Sequence, residues 1–139
     1  MRDEMQLDNV VMLDQQPKGM MPVLWQVSDV SLVLLKKSDL FKSVIPSKIF
    51  ESMAMKKPIV LGVQGESQVI IETAMSGLCV EPENSQQLAE AVLNLYKDKE
   101  LNIRLGDSGR KYVAEHFDRK MLAKRYLILL ENSISNKNV

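Results

Sequence analysis

Three side chains within five residues carry the chemistry most open to interpretation: Ser47, Lys48 and Glu51, in the run Pro46-Ser47-Lys48-Ile49-Phe50-Glu51-Ser52-Met53-Ala54. Proline suits the first position of a helix, because its φ is fixed and its missing N–H needs no partner there. The spacing predicts a short helix opening at Pro46, with Ile49, Phe50, Met53 and Ala54 on one side and Ser47, Lys48 and Glu51 on another. Ser47 and Glu51 stand one turn apart with Lys48 between them in angle, so a hydroxyl, a cation and a carboxylate face one ligand. Free N–H groups and the positive dipole end at the helix tip favour phosphate. A carboxylate one turn deeper can accept hydrogen bonds from ribose hydroxyls. Phosphate at the tip and sugar behind it is what a nucleoside diphosphate would need.

Other groups carry less chemistry. Lys36, Lys37, Lys42 and Lys48 form a local run of cations around the same place. Cys79 is the single cysteine and reads as a small buried hydrophobe; a lone thiol gives neither a disulfide framework nor a thiolate metal site, and suits a reducing compartment. His116, in Glu115-His116-Phe117, reads as structural, and Trp25 and the nine methionines read mainly as core. No His/Cys/Asp cluster has metal-ligand spacing, and no glycine-rich dinucleotide or P-loop fingerprint is present.

The elements that must position these residues follow from periodicity. Val10–Leu13 predicts a strand, Gly19–Val27 a short helix with Pro22 in its first turn, and Val30–Leu35 a strand covered on both faces. Lys36–Ile45 reads as a polar loop leading to the Pro46 helix. Ile59–Val63 and Leu78–Val80 are further strands, with a turn at Gly65-Glu66-Ser67 and a helix over Gln68–Met75 between them. Asn84 with Gln87 forms a capping box ahead of a stripe at Leu88, Ala91, Val92 and Leu95. Asp98 and Asp118 are N-caps for helices over Lys99–His116 and Arg119–Ser133, and Ser135–Val139 is a polar, frayed tail. Strands alternating with helices and then helices alone predict one α/β domain with a parallel sheet and a helical C-terminal cap.

Composition bounds the function. With 139 residues, 45% hydrophobic and 26% charged, the chain has the balance of an ordinary soluble globular domain. Eighteen basic residues balance eighteen acidic ones, so no bulk field favours nucleic acid or an anionic membrane. No apolar run approaches the ~20 residues of a membrane span, and Met1-Arg2-Asp3-Glu4 does not open a signal peptide.

Pro46-Ser47-Lys48-x-x-Glu51, followed by Met53-Ala54-x-x-Lys57-Pro58-Ile59-Val60, resembles the C-terminal domain of retaining GT-B glycosyltransferases of family 4 (group 1). Asn9-Val10-Val11-Met12-Leu13, Ser28-Asp29-Val30-Ser31-Leu32, Gly77-Leu78-Cys79-Val80 and Leu88-Ala89-Glu90-Ala91-Val92 follow in the family's order, so the resemblance spans about Leu7 to Leu130. It implies a Rossmann-like parallel sheet of order 3-2-1-4-5-6. Residues 10–13, 30–35, 59–63 and 78–80 match its third to sixth strands, and helices over about 85–133 match its cap. Nothing matches the first two strands, the diphosphate-binding Arg and Lys that follow the first, or the acceptor-binding N-terminal domain, so the resemblance implies an N-terminally truncated domain.

For residues, the resemblance implies donor-sugar nucleotide binding by Glu51 (ribose), by Ser47 and Lys48 (diphosphate) and by Ser43, which stands where the family carries the first glutamate of a Glu-x7-Glu motif. Glu66 follows a strand end where relatives place a Gly–Glu pair near the donor sugar, and Asp39 is a weaker substitute for the missing glutamate. No residue here is implied to be catalytic, and neither metal nor cofactor is required; the nucleotide-sugar is substrate. The Pro-Ser-Lys-x-x-Glu version is similar to enzymes that add hexosyl or N-acetylhexosaminyl groups to bacterial surface polysaccharides from UDP-sugars in the cytoplasm. The implied partners are a nucleoside diphosphate sugar, the missing N-terminal part of the enzyme or a second copy, and a membrane surface touched peripherally through the parent enzyme. Two readings stay open: the donor-binding part of a glycosyltransferase, inactive alone, or a non-catalytic interaction module or inert remnant of the same fold. Nucleotide-sugar epimerases, which share the architecture, are a more distant third.

Overall fold

A computed structural model describes Arg2 and residues 4–135, excluding the side chain of Ser135. A 3-10 turn at Lys18–Met20 leads into α1 (Met21–Val27), then β1 (Ser31–Leu34), α2 (Lys48–Ala54), β2 (Ile59–Gly62), α3 (Glu66–Ala74) and β3 (Gly77–Cys79). Three consecutive helices close the order: α4 (Ser85–Lys97), α5 (Lys99–His116) and α6 (Arg119–Ser135). The three strands form one parallel sheet in the order β1-β2-β3, with Ser31 opposite Ile59 and Ile59 opposite Gly77. The expected Rossmann-like α/β class with a helical C-terminal portion is therefore what the chain adopts.

Period-two alternation assigns the sheet residues to two cores. Val33, Ile59, Leu61 and Val63 pack with Ile49 and Met53 of α2, Ile71 and Ala74 of α3 and Val113 of α5. On the other face Val60 packs with Ala91 and Leu95 of α4 and Leu105 of α5. That second cover stops at β1. Leu32 is in register with Val60, which is fully buried, yet Leu32 is 44% and Leu34 46% exposed. The expectation that this strand is covered on both faces is thus corrected: it is sealed on the α2 side only, because α4 lies over β2 and β3.

The expected strand at Val10–Leu13 is not formed. Residues 10–17 carry no regular structure, and Val11 and Met12 are each 75% exposed. A strand is stable only through its neighbours, and this run pairs with no strand among the described residues. Several methionines expected in the core, Met5, Met12, Met20 and Met75 among them, are likewise exposed.

The local signals for helix ends fare better. Asn84, Asp98 and Asp118 each accept a hydrogen bond from the N–H three residues on, at 3.0, 2.8 and 3.0 Å. The capping box is only half made, because the Gln87 side chain accepts from the Glu81 N–H instead of returning to Asn84. α3 begins at Glu66, two residues before the predicted start, since Gly65 adopts φ 85° as its N-cap. A Cβ on Gly65 would lie 2.1 Å from the Lys42 carbonyl oxygen, so glycine here lets the loop after β1 rest directly on the start of α3. That loop contains a 3-10 turn, Asp39–Ser43, that periodicity did not signal.

Candidate donor-binding site

α2 begins at Lys48, so Pro46 sits outside the helix and not at its first position as expected. Ser47 is the N-cap in αR conformation, with no side-chain capping bond. The Pro46 carbonyl accepts from Ile49, and the Ser47 carbonyl from Phe50 and Glu51. Only the N–H groups of Ser47 and Lys48 are left without a partner among the described residues, fewer than a bare helix tip would offer.

Packing fixes this short helix firmly. Ile49, Ser52 and Met53 are buried. The Ser52 hydroxyl donates to the Lys48 carbonyl at 2.7 Å and lies 2.8 Å from the Ser31 hydroxyl, tying α2 to β1 inside the protein. α5 clamps the far end: Arg110 Nη1 donates to the Ala54 carbonyl at 3.1 Å, and Lys56 pairs with Asp107 at 2.8 Å. Gly106 and Gly109 permit that approach, since a Cβ on Gly106 would stand 2.3 Å from the Lys56 carbonyl oxygen. Phe50 stacks on Phe117 with centroids 4.5 Å apart, and Tyr112 meets His116 at the same distance.

With one side so held, the other presents Ser47, Lys48 and Glu51 to solvent. None of the three side chains has a hydrogen-bond or ion-pair partner among the described residues. All three are exposed within the first turn of α2 and its N-cap. Ser43 and Glu66 come from a different junction. The Gly65 contact with Lys42, and the Ser67 hydroxyl donating to the Val44 carbonyl at 2.7 Å, lock the loop carrying Ser43 to the first turn of α3, where Glu66 is exposed. The Ser43 hydroxyl donates only to the Leu40 carbonyl, at 3.4 Å.

The expected cationic run is partly neutralised. Lys42 forms an ion pair with Asp39 at 2.6 Å and holds that carboxyl below its ordinary range, through a hydrogen bond first and charge second. Lys37 pairs with Glu81 at 3.5 Å, and its backbone N–H donates to Glu83 at 3.1 Å. Lys36 and Lys48 keep no acidic partner among the described residues. Glu81 also accepts from Gln64 at 3.2 Å, so it joins the segments following all three strands. Gln64, Glu81, Ser31, Ser52 and Ser67 organise the site without having stood out in the sequence. For Gln64 and Glu81, position just after a strand end was the available signal.

Two clefts, of about 760 Å³ beside Val30, Val92 and Tyr96 and about 290 Å³ beside Leu34, Val80 and Leu88, lie on the α4 face. The smaller borders the uncovered side of β1 at Leu34, and neither includes Ser47, Lys48 or Glu51. Among the described residues no group of three or more His, Cys, Asp or Glu could hold a metal ion, and no helix is long and apolar enough to cross a membrane. Cys79 is half-buried; burial, then the charge of Glu72, raises its thiol to about 11. Iodoacetamide should alkylate it at neutral pH about 100-fold more slowly than an exposed thiol, with the rate climbing until pH nears that value. A rate profile that levels off near pH 8.5 would contradict this.

Comparison with known proteins fits the geometry. The sucrose-phosphate synthase of Thermosynechococcus elongatus superposes with TM-score 0.78 at 21% identity, over 97% of this chain and 33% of that one. A glycosyltransferase of Rickettsia africae ESF-5 gives TM-score 0.81 at 20% identity, over 97% and 35%. The C-terminal domain of a glycosyl transferase group 1 family protein from Francisella tularensis gives 0.69 at 22%, over 85% and 59%. The chain thus spans about a third of two of these proteins and under two thirds of the third. No curated protein matches it. The family profile of glycosyl transferases group 1 matches residues 1–112, most of the chain, and the protein belongs to that family.

Proposed function

We propose that this chain is the donor-binding part of a retaining glycosyltransferase of bacterial surface-polysaccharide synthesis, working in the cytoplasm on a UDP-type sugar. One observation carries the reading: α2 is fixed by buried bonds on one side, while Lys48 and Glu51 stand exposed and unpaired on the other, in the helix that the loop after the carboxyl end of β1 leads into. Crevices beyond such strand ends are where open α/β sheets take ligands. Glu51 accepts the two ribose hydroxyls. Lys48, the Ser47 hydroxyl and the two open N–H groups take the diphosphate and spread the charge that develops as it leaves. Ser43 and Glu66 border the donor sugar from the loop–α3 junction.

Alone, the chain supplies one wall of such a crevice and completes no transfer. Calorimetric titration with UDP tests the binding half: heat with a saturable isotherm is expected, and its absence would overturn the donor reading in favour of an interaction module. The catalytic half is tested by incubating the purified chain with nucleotide-sugars. Release of UDP above a Glu51→Ala control would show that the chain needs no second wall.

A further inference from the structure

We propose that the turn Glu81-Pro82-Glu83-Asn84, leading from β3 to α4, clasps the loop after β1. Glu81 and Glu83 are then positioning residues for the sugar half of the donor, a role that rests on the donor-binding reading. The Asn84 N–H donates to the Glu81 carbonyl at 3.2 Å and closes the turn. Pro82, its second residue, is buried, and Glu83, its third, adopts φ 64°. Proline followed by a positive φ makes a type II turn, whose third position suits glycine or asparagine. Glutamate there keeps the backbone strained.

The strained turn aims two carboxylates at one residue. Glu83 accepts the Lys37 backbone N–H at 3.1 Å, and Glu81 lies 3.5 Å from the Lys37 ammonium while accepting from Gln64 at 3.2 Å. An exposed ion pair contributes little alone, so the bond to the Lys37 N–H is the tie that fixes the path of the chain. The turn itself is held from behind. The Glu81 N–H donates to the Gln87 side chain at 2.8 Å, and the Val80 N–H to the Leu61 carbonyl at 2.9 Å.

The two ends of the loop do different things. At the far end, Gly65 against Lys42 and the Ser67 bond to the Val44 carbonyl fix where Ser43 stands. The Ser43 hydroxyl is aimed by the Leu40 carbonyl, 3.4 Å away. Leu40 belongs to the near end: its N–H donates to the Ser38 hydroxyl at 3.3 Å, and the Phe41 N–H to the Ser38 carbonyl at 3.1 Å. Among the described residues, hydrogen bonds from outside the loop reach 37–40 only from Glu81 and Glu83. Freeing Lys37 therefore loosens what orients Ser43. It leaves Lys48 and Glu51 in place, because β1 and α5 hold α2.

Glu83→Gly in the full chain separates this role from a merely structural one. Glycine suits the positive φ, so the melting temperature should hold or rise while the Lys37 N–H loses its acceptor. By NMR the Phe41 amide should exchange with deuterium about tenfold faster, the loss of one hydrogen bond, with the Val44 amide at the far end unchanged. By calorimetry the wild-type chain should bind UDP-glucose or UDP-N-acetylglucosamine more tightly than UDP. The variant should lose about tenfold of that sugar gain and keep the UDP affinity. Glu83→Gln retains an acceptor oxygen and should restore both readouts. A Glu83→Gly chain of full stability with Phe41 exchange and sugar gain unchanged overturns the proposal, since the turn then only links β3 to α4. A lower melting temperature overturns the strained turn. Equal weakening of UDP and the UDP-sugar, or no sugar gain in the wild type, overturns the sugar assignment. A wild-type chain that binds no UDP overturns the donor reading instead, and the exchange rates still decide the clasp.

Discussion

Replacing Met53 by alanine is expected to destabilise the protein by about 2–5 kcal/mol, the range for emptying a fully buried long side chain. Met53 is fully buried, lies at the centre of the larger core and touches the α5 backbone, where a Cβ on Gly109 would stand 3.2 Å from its Cγ. α2 cannot readily sink to fill the space, because the Ser52–Ser31 contact and the Arg110–Ala54 bond tie its C-terminal half to β1 on one side and to α5 on the other. At about 3 °C per kcal/mol for a chain of this size, the melting temperature should fall by about 6–15 °C. Lys48→Ala, on the exposed side of the same helix, should stay within about 0.5 kcal/mol of wild type. Equal melting temperatures for the two variants would mean that α2 is not held as described.

The second large effect concerns binding. Glu51→Gln keeps the shape of the side chain and removes its charge. A hydrogen bond to a charged group contributes about 1.5–3 kcal/mol, so UDP and uridine affinities should both fall roughly 10- to 100-fold, at ~1.4 kcal/mol per tenfold. Lys48→Ala should separate the two ligands, weakening UDP strongly and uridine barely, because Lys48 acts on the diphosphate that uridine lacks. Glu51 is exposed, so stability should be nearly unchanged and the affinity loss will not be an unfolding artefact. Calorimetry on both variants with both ligands decides it. If Glu51→Gln leaves the two affinities untouched, Glu51 is a solvated helix glutamate.

What could be read from the sequence divides along a physical line. Caps at Asn84, Asp98 and Asp118 are bonds within three residues of chain, so local chemistry reveals them. β2 is a continuous apolar run buried on both faces, and its identity is visible in composition alone. The closeness of Ser47, Lys48 and Glu51 at the first turn of α2 follows from helical spacing. Val10–Leu13 has strand composition but pairs with no strand among the described residues, and pairing is a property of the whole sheet. The exposure of Leu32 and Leu34 depends on where α4 ends up, which their own sequence does not encode. The same holds for charge. Lys37 and Glu81 are 44 residues apart, so their pairing, which removes a cation from the expected cluster, was invisible before the strands were aligned. The buried serines are hidden in the same way: Ser52 and Ser31 meet across 21 residues.

The clamp on α2 also has a consequence for the order in which the molecule can form. A helix of seven residues is far below the length that is stable by itself in water. The groups that close its C-terminal end, Gly106, Asp107 and Arg110, leave the ribosome some fifty residues later; the Arg110–Ala54 bond alone spans 56. During synthesis β1, α2 and β2 therefore emerge before the residues that clamp α2 in place. The surface bearing Lys48 and Glu51 becomes a rigid one only when α5 has folded back, so ligand competence waits on residues made well after the site's own.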